Sequence, residues 1–178
     1  MTVIYIILIV LGSLVAIFFL MALVNSKDLT IEKSVVINRP RHEVYDFLKY
    51  TKNADEFNVW NKMDPDMKKE YRGTDGTVGF VYAWDSSKKK NVGAGEQETK
   101  GLREGEYIEY ELRFLRPMND VAKAWFNLES LTSEQTKVSW TFASKLKFPG
   151  TAMKGLIRGM LSKALVTGLD NLKRVLEK

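Results

Sequence analysis

From Val3 to Val24 the chain carries no charged residue, and only Gly12 and Ser13 interrupt an apolar run. No other feature narrows the possible folds so far. At about 1.5 Å rise per residue, the run makes a helix of roughly 33 Å, enough for a hydrocarbon core of about 30 Å. A helix packed in a soluble core shows a polar stripe, and this one has none. A cleaved signal peptide would show a charged leader, an apolar stretch of about 7–15 residues and a small-residue cleavage site. Met1-Thr2 brings no Lys or Arg, the run is longer, and Val24-Asn25-Ser26 matches a cleavage site poorly. Residues 1–26 therefore read as a retained transmembrane anchor, contacting a lipid bilayer through residues 3–24.

Loop charge sets the expected orientation. Lys27, Lys33, Arg39 and Arg41 follow the run closely, while only the α-amino group precedes it. The positive-inside rule then places the remainder, residues 27–178, on the cytoplasmic side of a single-pass protein. That remainder has the size of one ordinary domain. The formal charge of +5, from 27 Lys+Arg against 22 Asp+Glu, suits proximity to anionic lipid. It falls far short of a nucleic-acid-binding composition, so no nucleic-acid partner is expected. The absence of cysteine excludes thiolate chemistry and disulfides.

Beyond a short polar exit at Asn25 to Asp28, the pattern alternates with a period of two. Leu29, Ile31, Val35 and Ile37 make one face of a strand, with Lys33 interrupting it. Asn38-Arg39-Pro40 opens a helix carrying Val44, Phe47 and Leu48 on one side, and a second short helix is expected around Lys52 to Phe57. Period two returns at Met67. It predicts strands at Met67 to Arg72, Val78 to Trp84, Val92 to Leu102, Ile108 to Phe114, Ala122 to Leu128 and Val138 to Phe148. The connections are short, among them Gly73-Thr74-Asp75-Gly76, Ser86 to Asn91 with the basic tip Lys88 to Lys90, and Arg116 to Asn119. Short turns make antiparallel hairpins, hence a meander.

After Pro149-Gly150 one long helix remains. Its apolar stripe runs through Met153, Leu156, Ile157, Met160, Ala164, Leu165, Leu169, Leu172 and Leu176. Gly155, Gly159 and Gly168 weaken this helix, and they would permit a kink or a close approach to the sheet. The fold class is α+β: a curved seven-stranded antiparallel sheet wrapped around a long C-terminal helix, preceded by one transmembrane helix. The interior so formed is lined by Phe80, Tyr82, Trp84, Tyr110, Phe114, Phe126, Trp140 and Phe142. Gln97 and Thr99 fall on the inward parity of their strand and are the candidate orienting polar groups.

Four stretches carry a family likeness: Ile31 to Pro40 with Val44-Tyr45-Asp46-Phe47-Leu48, then Trp60 to Pro65, Tyr71 to Gly79, and Gly168 to Lys173. With them the chain resembles the SRPBCC superfamily (the START-like, helix-grip fold), in its polyketide cyclase/dehydrase-like branch. The resemblance spans roughly Leu29 to Lys178 and leaves the apolar N-terminus outside. It implies a deep apolar cavity between long helix and sheet, of the kind relatives use to bind or transfer lipids, sterols and polyketide-like molecules. It also implies a cavity entrance near Trp60 and Met63.

Catalytic signals are few. His42 is the only histidine and sits in the first turn of a helix, so no His/Cys metal cluster and no nucleophile triad can be assembled. Glu96 and Glu98 share the outward face of a strand, which removes paired-carboxylate chemistry from the interior. No Gly-rich phosphate loop joins a strand to a helix, and no cofactor is expected. The leading expectation is a membrane-anchored module that binds an apolar small molecule or lipid. Behind it stand a non-catalytic interaction or stress module and, last, a cyclase- or hydrolase-like enzyme using acid/base groups in the cavity.

Overall fold

The computed structural model describes residues 2–89, 91–117 and 119–178. Lys90, in the basic hairpin tip, and Met118, in the Arg116–Asn119 turn, lie outside the described residues. The order begins with helix α1 (Thr2–Val24), strand β1 (Asp28–Ile37) and helices α2 (Arg41–Leu48), α3 (Ala54–Phe57) and α4 (Val59–Met63). Strands β2 (Lys68–Arg72), β3 (Val81–Asp85), β4 (Ala94–Arg103), β5 (Tyr107–Arg116), β6 (Asp120–Thr132) and β7 (Gln135–Lys145) follow, and helix α5 (Lys154–Leu176) ends the chain. Single 3-10 turns at Thr51–Asn53 and Gly150–Met153 lead into α3 and α5.

All seven strands form one antiparallel sheet in the order β1-β7-β6-β5-β4-β3-β2. The meander is the consequence of short turns; the seventh place is filled by β1, which crosses back to pair Asp28 with Lys145 and Ile37 with Thr136. Alternate residues of β1, β5, β6 and β7 face α5. Leu29, Ile31 and Ile37 of β1, Ile108 and Tyr110 of β5, Phe126 and Leu128 of β6, and Val138 and Trp140 of β7 are buried there. Leu165, Leu169 and Leu172 bring the helix onto this face, each contributing about 1.5–3 kcal/mol by burial.

The C-terminal end of α5 is latched. Arg39 Nε donates to the Leu176 carbonyl at 2.6 Å, and Lys173 Nζ donates to the Val36 carbonyl at 2.8 Å. Cations at the helix C-terminus also meet the negative end of its dipole. The other half of α5 stands clear of the sheet: no residue from Lys154 to Ala164 is buried, and its tie is to the segment after α1, where Lys154 Nζ donates to the Ser26 carbonyl at 3.1 Å. The apolar stripe read along the whole helix is therefore fully buried only from Leu165 onward, with Ile157 and Leu161 packed against the core at its margin. Met153, Leu156 and Met160 are 46%, 69% and 61% exposed, because the curving sheet falls away beneath them.

Three other departures have local causes. The strand expected from Val78 begins at Val81, since Gly73, Gly76 and Gly79 take φ of +88°, +82° and +89° and coil the preceding segment into turns. Val78 is left exposed. The single helix expected around Lys52 to Phe57 is a 3-10 turn followed by α3, and a further short helix, α4, carries Trp60 and Met63. Finally, β7 stops at Lys145, and Phe148 turns out to solvent.

Helix α1 is long and apolar enough to cross a membrane. Ala22 alone among its described residues is buried. Thr151 Oγ1 donates to the Ala22 carbonyl at 2.6 Å, and Asn25 Nδ2 donates to the Thr151 carbonyl at 3.1 Å. These bonds join the end of α1 to the 3-10 turn ahead of α5.

Candidate functional site

Where sheet and α5 part, a cavity of about 340 Å³ opens, near the lower end of the usual range for small-molecule sites. It separates two pieces of packed interior. The larger lies under the C-terminal half of α5; the smaller joins Met67, Phe80, Tyr82 and Val92 at the β2–β3 end. A closed core would have merged them, since voids inside proteins forfeit dispersion contacts.

Two tryptophans shape the walls, and each depends on a glycine. A Cβ at Gly95 would stand 2.7 Å from the Trp84 ring, and one at Gly168 would stand 2.7 Å from the Trp140 ring. The missing side chains let Trp84 lie against β4 and let α5 close on Trp140. Trp84 Nε1 donates to the Val92 carbonyl at 3.3 Å, so its polar end is accounted for. Trp140 packs on Phe126 with centroids 4.9 Å apart, and both meet Phe57 of α3 edge-on.

Among the residues singled out in the sequence, Tyr82, Trp84, Gln97, Tyr110, Phe114, Phe126, Trp140 and Phe142 line this cavity, and Trp60 lines it from α4. Three do not. Phe80 wedges into the smaller cluster and stacks on Tyr71 at 6.1 Å, because the glycine turns bring it in before the strand begins. Thr99 sits where Gly79 and Phe80 hydrogen-bond onto β4, and its hydroxyl is buried away from the cavity. Met63 is 42% exposed outside the wall, where its sulfur accepts from Asn91 Nδ2 at 3.7 Å. Asn91 itself does line the cavity.

Sequence patterning missed the contribution of the segment after α2. Thr51, Phe57, Asn58 and Asn61 all reach the wall, as do Leu112 and Ala124 from the sheet. Only Leu112 and Ala124 carried a signal, their inward parity. The short helices are placed by tertiary contacts: Thr51 N donates to Asp75 Oδ1 at 2.8 Å, and Asn171 Nδ2 of α5 donates to the Phe57 carbonyl at 3.1 Å.

Hydrogen-bonding groups are sparse inside. Tyr110 Oη donates to the Leu48 carbonyl at 3.3 Å, and Asn61 Nδ2 donates to Tyr82 Oη at 3.4 Å. The Thr51 hydroxyl is buried beside the Tyr110 phenol, whose pKa burial raises and this hydroxyl draws down, yet it makes no bond of full hydrogen-bond geometry among the described residues. Burial pushes both phenols, Tyr82 and Tyr110, well above the ordinary tyrosine value. They stay protonated and can donate, but neither is a base at neutral pH. The lining holds one carboxylate, Asp120, which lies at the β5–β6 turn with Lys147 Nζ at 3.5 Å. His42 is exposed on α2, and no group of three His, Cys, Asp or Glu converges among the described residues.

Apart from Arg116 and Asp120, which line the cavity at the β5–β6 turn, a cluster of charged groups on β2, β4 and β5 occupies the outer face of the sheet. Arg113 reaches Glu98 at 2.8 Å, Glu111 at 2.6 Å and Glu96 at 3.2 Å, and Arg72 also pairs with Glu96. Hydrogen bonds from Arg113 and Lys100 hold the Glu98 carboxyl below its ordinary value. Burial works against ionising Glu96, yet the bonds from Arg72 and Arg113 outweigh it and lower its pKa as well. None of these residues lines the cavity.

A search among curated proteins found no match. Solved structures share the fold. Protein CV1439 from Chromobacterium violaceum is 17% identical with a TM-score of 0.61, over 84% of this chain and 97% of that one. Protein MLL2253 from Mesorhizobium loti is 14% identical with a TM-score of 0.61, over 84% and 97%. The Aha1 dimer from Colwellia psychrerythraea is 15% identical with a TM-score of 0.58, over 84% and 96%. At these identities the likeness is one of fold. The family model described as polyketide cyclase / dehydrase and lipid transport matches residues 28–177, nearly everything beyond α1. With that match, and the sheet gripping α5, this chain belongs to the polyketide cyclase / dehydrase and lipid transport family, on the helix-grip fold of the SRPBCC superfamily.

Proposed function

We propose that this protein is a membrane-anchored binding domain that takes an apolar small molecule or lipid into the cavity beneath α5. The observation that carries the reading is the cavity itself: about 340 Å³ walled by Tyr82, Trp84, Tyr110, Phe126 and Trp140, with few polar groups. Apolar ligand sites have this composition, a ring-rich wall with a small number of placed donors and acceptors. Thr51 and Gln97, with Asn61, Asn91 and Ser144, are the lining groups that would orient a ligand's polar end.

The family description, which includes lipid transport, supports an apolar ligand. Interior chemistry favours holding a ligand over transforming it. Acid–base catalysis needs a group that exchanges a proton near neutrality, and burial moves Tyr82 and Tyr110 away from that range. The anchor is α1, with residues 1–26 forming the membrane unit and residues 27–178 the binding unit. The basic residues that follow α1 support a cytoplasmic location for the binding unit.

Three of the four tryptophans, Trp60, Trp84 and Trp140, line the cavity, and Trp125 does not. In a Trp125→Phe variant of the full chain, titration with a brominated fatty acid should quench the emission of the remaining three at stoichiometric loading. Native mass spectrometry of the same material should show one retained lipid-sized adduct. Unquenched tryptophans together with an adduct-free spectrum would rule the reading out. Retention of the full-length chain in the membrane pellet after alkaline carbonate washing tests the anchor; a shortened, released product would remove it.

A further inference from the structure

Phe148 belongs to the domain, yet its ring lies 6.0 Å from that of Phe19, inside the apolar run of α1. Phe19 precedes the end of α1 at Val24 by five residues, an axial depth of about 7.5 Å. The contact is anchored from both sides. Thr151, 1% exposed, bonds the Ala22 carbonyl, and Lys154 Nζ donates to the Ser26 carbonyl at 3.1 Å. Any bilayer that receives α1 to its last turn therefore receives Phe148 and the 3-10 turn with it.

From this point an apolar stripe continues along the free half of α5. Met153, Leu156 and Met160 follow one another at helical spacing and are largely exposed, and Phe148 is 52% exposed beside them. Met160 also lines the cavity, as do its neighbours Ile157 and Leu161, so the stripe runs into the cavity mouth. From Lys145 to Leu169 the chain has no Asp or Glu but has Lys145, Lys147, Lys154, Arg158 and Lys163. An exposed apolar stripe flanked by basic residues alone is the composition of a helix lying in the headgroup boundary of an anionic leaflet.

We propose that Phe148 to Met160 is a collar inserted into the leaflet that α1 crosses, and that it seats the cavity mouth among phospholipid acyl chains. The occupant of this surface is anionic phospholipid of the same membrane. A ligand then enters sideways from the leaflet beneath the lifted half of α5, without crossing water. This rests on the reading of α1 as a membrane span and of the cavity as a binding site.

The cysteine-free chain makes the test direct. Single variants Leu156→Cys and Met153→Cys of the full-length protein, and Leu131→Cys at the far end of the sheet as reference, are labelled with a polarity-sensitive fluorophore. They are reconstituted in vesicles of phosphatidylcholine and phosphatidylglycerol. Quenching is read with lipids doxyl-labelled near the head or near the end of the chain. The collar predicts blue-shifted emission at 153 and 156, quenched several-fold more by the shallow doxyl group, with the label at 131 unquenched. Water-like emission at 153 and 156, equal to that at 131, overturns it.

Loading is read separately in the Trp125→Phe background, by quenching of the cavity tryptophans with brominated-chain phospholipid. Leu156→Asp should slow that quenching several-fold while leaving the melting temperature unchanged, since the residue touches no core. An unchanged loading rate overturns lateral entry. If the labels insert but the tryptophans of the unaltered collar are never quenched, the collar stands and the binding reading falls. If the tryptophans are quenched while the labels remain in water, binding stands and the collar falls.

Discussion

Ala124→Leu should weaken ligand binding and strengthen the empty protein at once, a pair of signs that only a real cavity produces. Ala124 is 5% exposed on β6, paired with Tyr110 on one side and Phe142 on the other, and it lines the cavity. Leucine adds three carbons to that wall. At about 0.8 kcal/mol per buried methylene, a ligand losing space for three carbons loses about 2.4 kcal/mol, roughly a 50-fold rise in Kd. In the empty protein the same carbons leave water for an apolar space. After about 0.5–1 kcal/mol of side-chain entropy, the net gain is about 1.5 kcal/mol. For a domain of this size that raises Tm by about 3–6 °C. The assay pairs a melting curve of the delipidated full chain with brominated fatty-acid titration of its tryptophans. If the space beneath α5 is filled core, leucine overpacks it and costs about 1–3 kcal/mol, so a lowered Tm would refute the reasoning.

Other positions separate packing from propensity. Gly168→Ala should lower stability by about 1–2 kcal/mol, since its Cβ would stand 2.7 Å from Trp140, whereas Gly155→Ala and Gly159→Ala meet nothing within 4 Å and should gain up to about 1 kcal/mol each. Thermal melts of the three variants settle this, and a stabilised Gly168→Ala would show that α5 does not close on that ring. Thr51→Val removes a buried hydroxyl that makes no bond of full geometry and should stabilise the empty domain by about 1 kcal/mol; a loss in chemical denaturation would show that its contact with the Tyr110 phenol is a stabilising hydrogen bond. Arg113→Met should cost about 1 kcal/mol at neutral pH by leaving Glu96, Glu98 and Glu111 together. Because Glu96 and Glu98 have lowered folded-state values, their contribution is present above the ordinary carboxylate pKa of about 4.3 and is lost as pH falls through the folded values. The gap between Arg113→Met and the wild type should therefore narrow in acid, and a gap constant from neutral pH to acid would contradict the network.

The candidate site was only partly legible in the sequence, for reasons that differ by residue. Tyr110, Phe126 and Trp140 stand in long, regular strands, where inward parity is a local property and reads directly from alternation. Phe80 has the same parity, but three left-handed glycines intervene and move it out of the strand that would have placed it on the wall. Thr51 and Phe57 belong to short helices with too few turns to carry a periodic signal, and bonds to Asp75 and Asn171 decide where they sit. The stripe on α5 is continuous in sequence, while only its second half is fully buried and Leu156 and Met160 of the first half are exposed, because the sheet curves away there.

By itself, the sequence determined the apolar helix, the antiparallel meander, the covering α5 and the absence of thiol or clustered-histidine chemistry. Each is a property of composition or of short-range period, so nearby residues suffice to specify it. Only the tertiary structure decided that β1 closes the sheet beside β7, that glycines at 95 and 168 make room for two tryptophans, and that α5 lifts to leave a cavity. It alone set Phe148 and Thr151 against the end of α1. Those outcomes depend on contacts between different elements, over a hundred positions apart for Phe19 and Phe148, and short-range period carries no record of them.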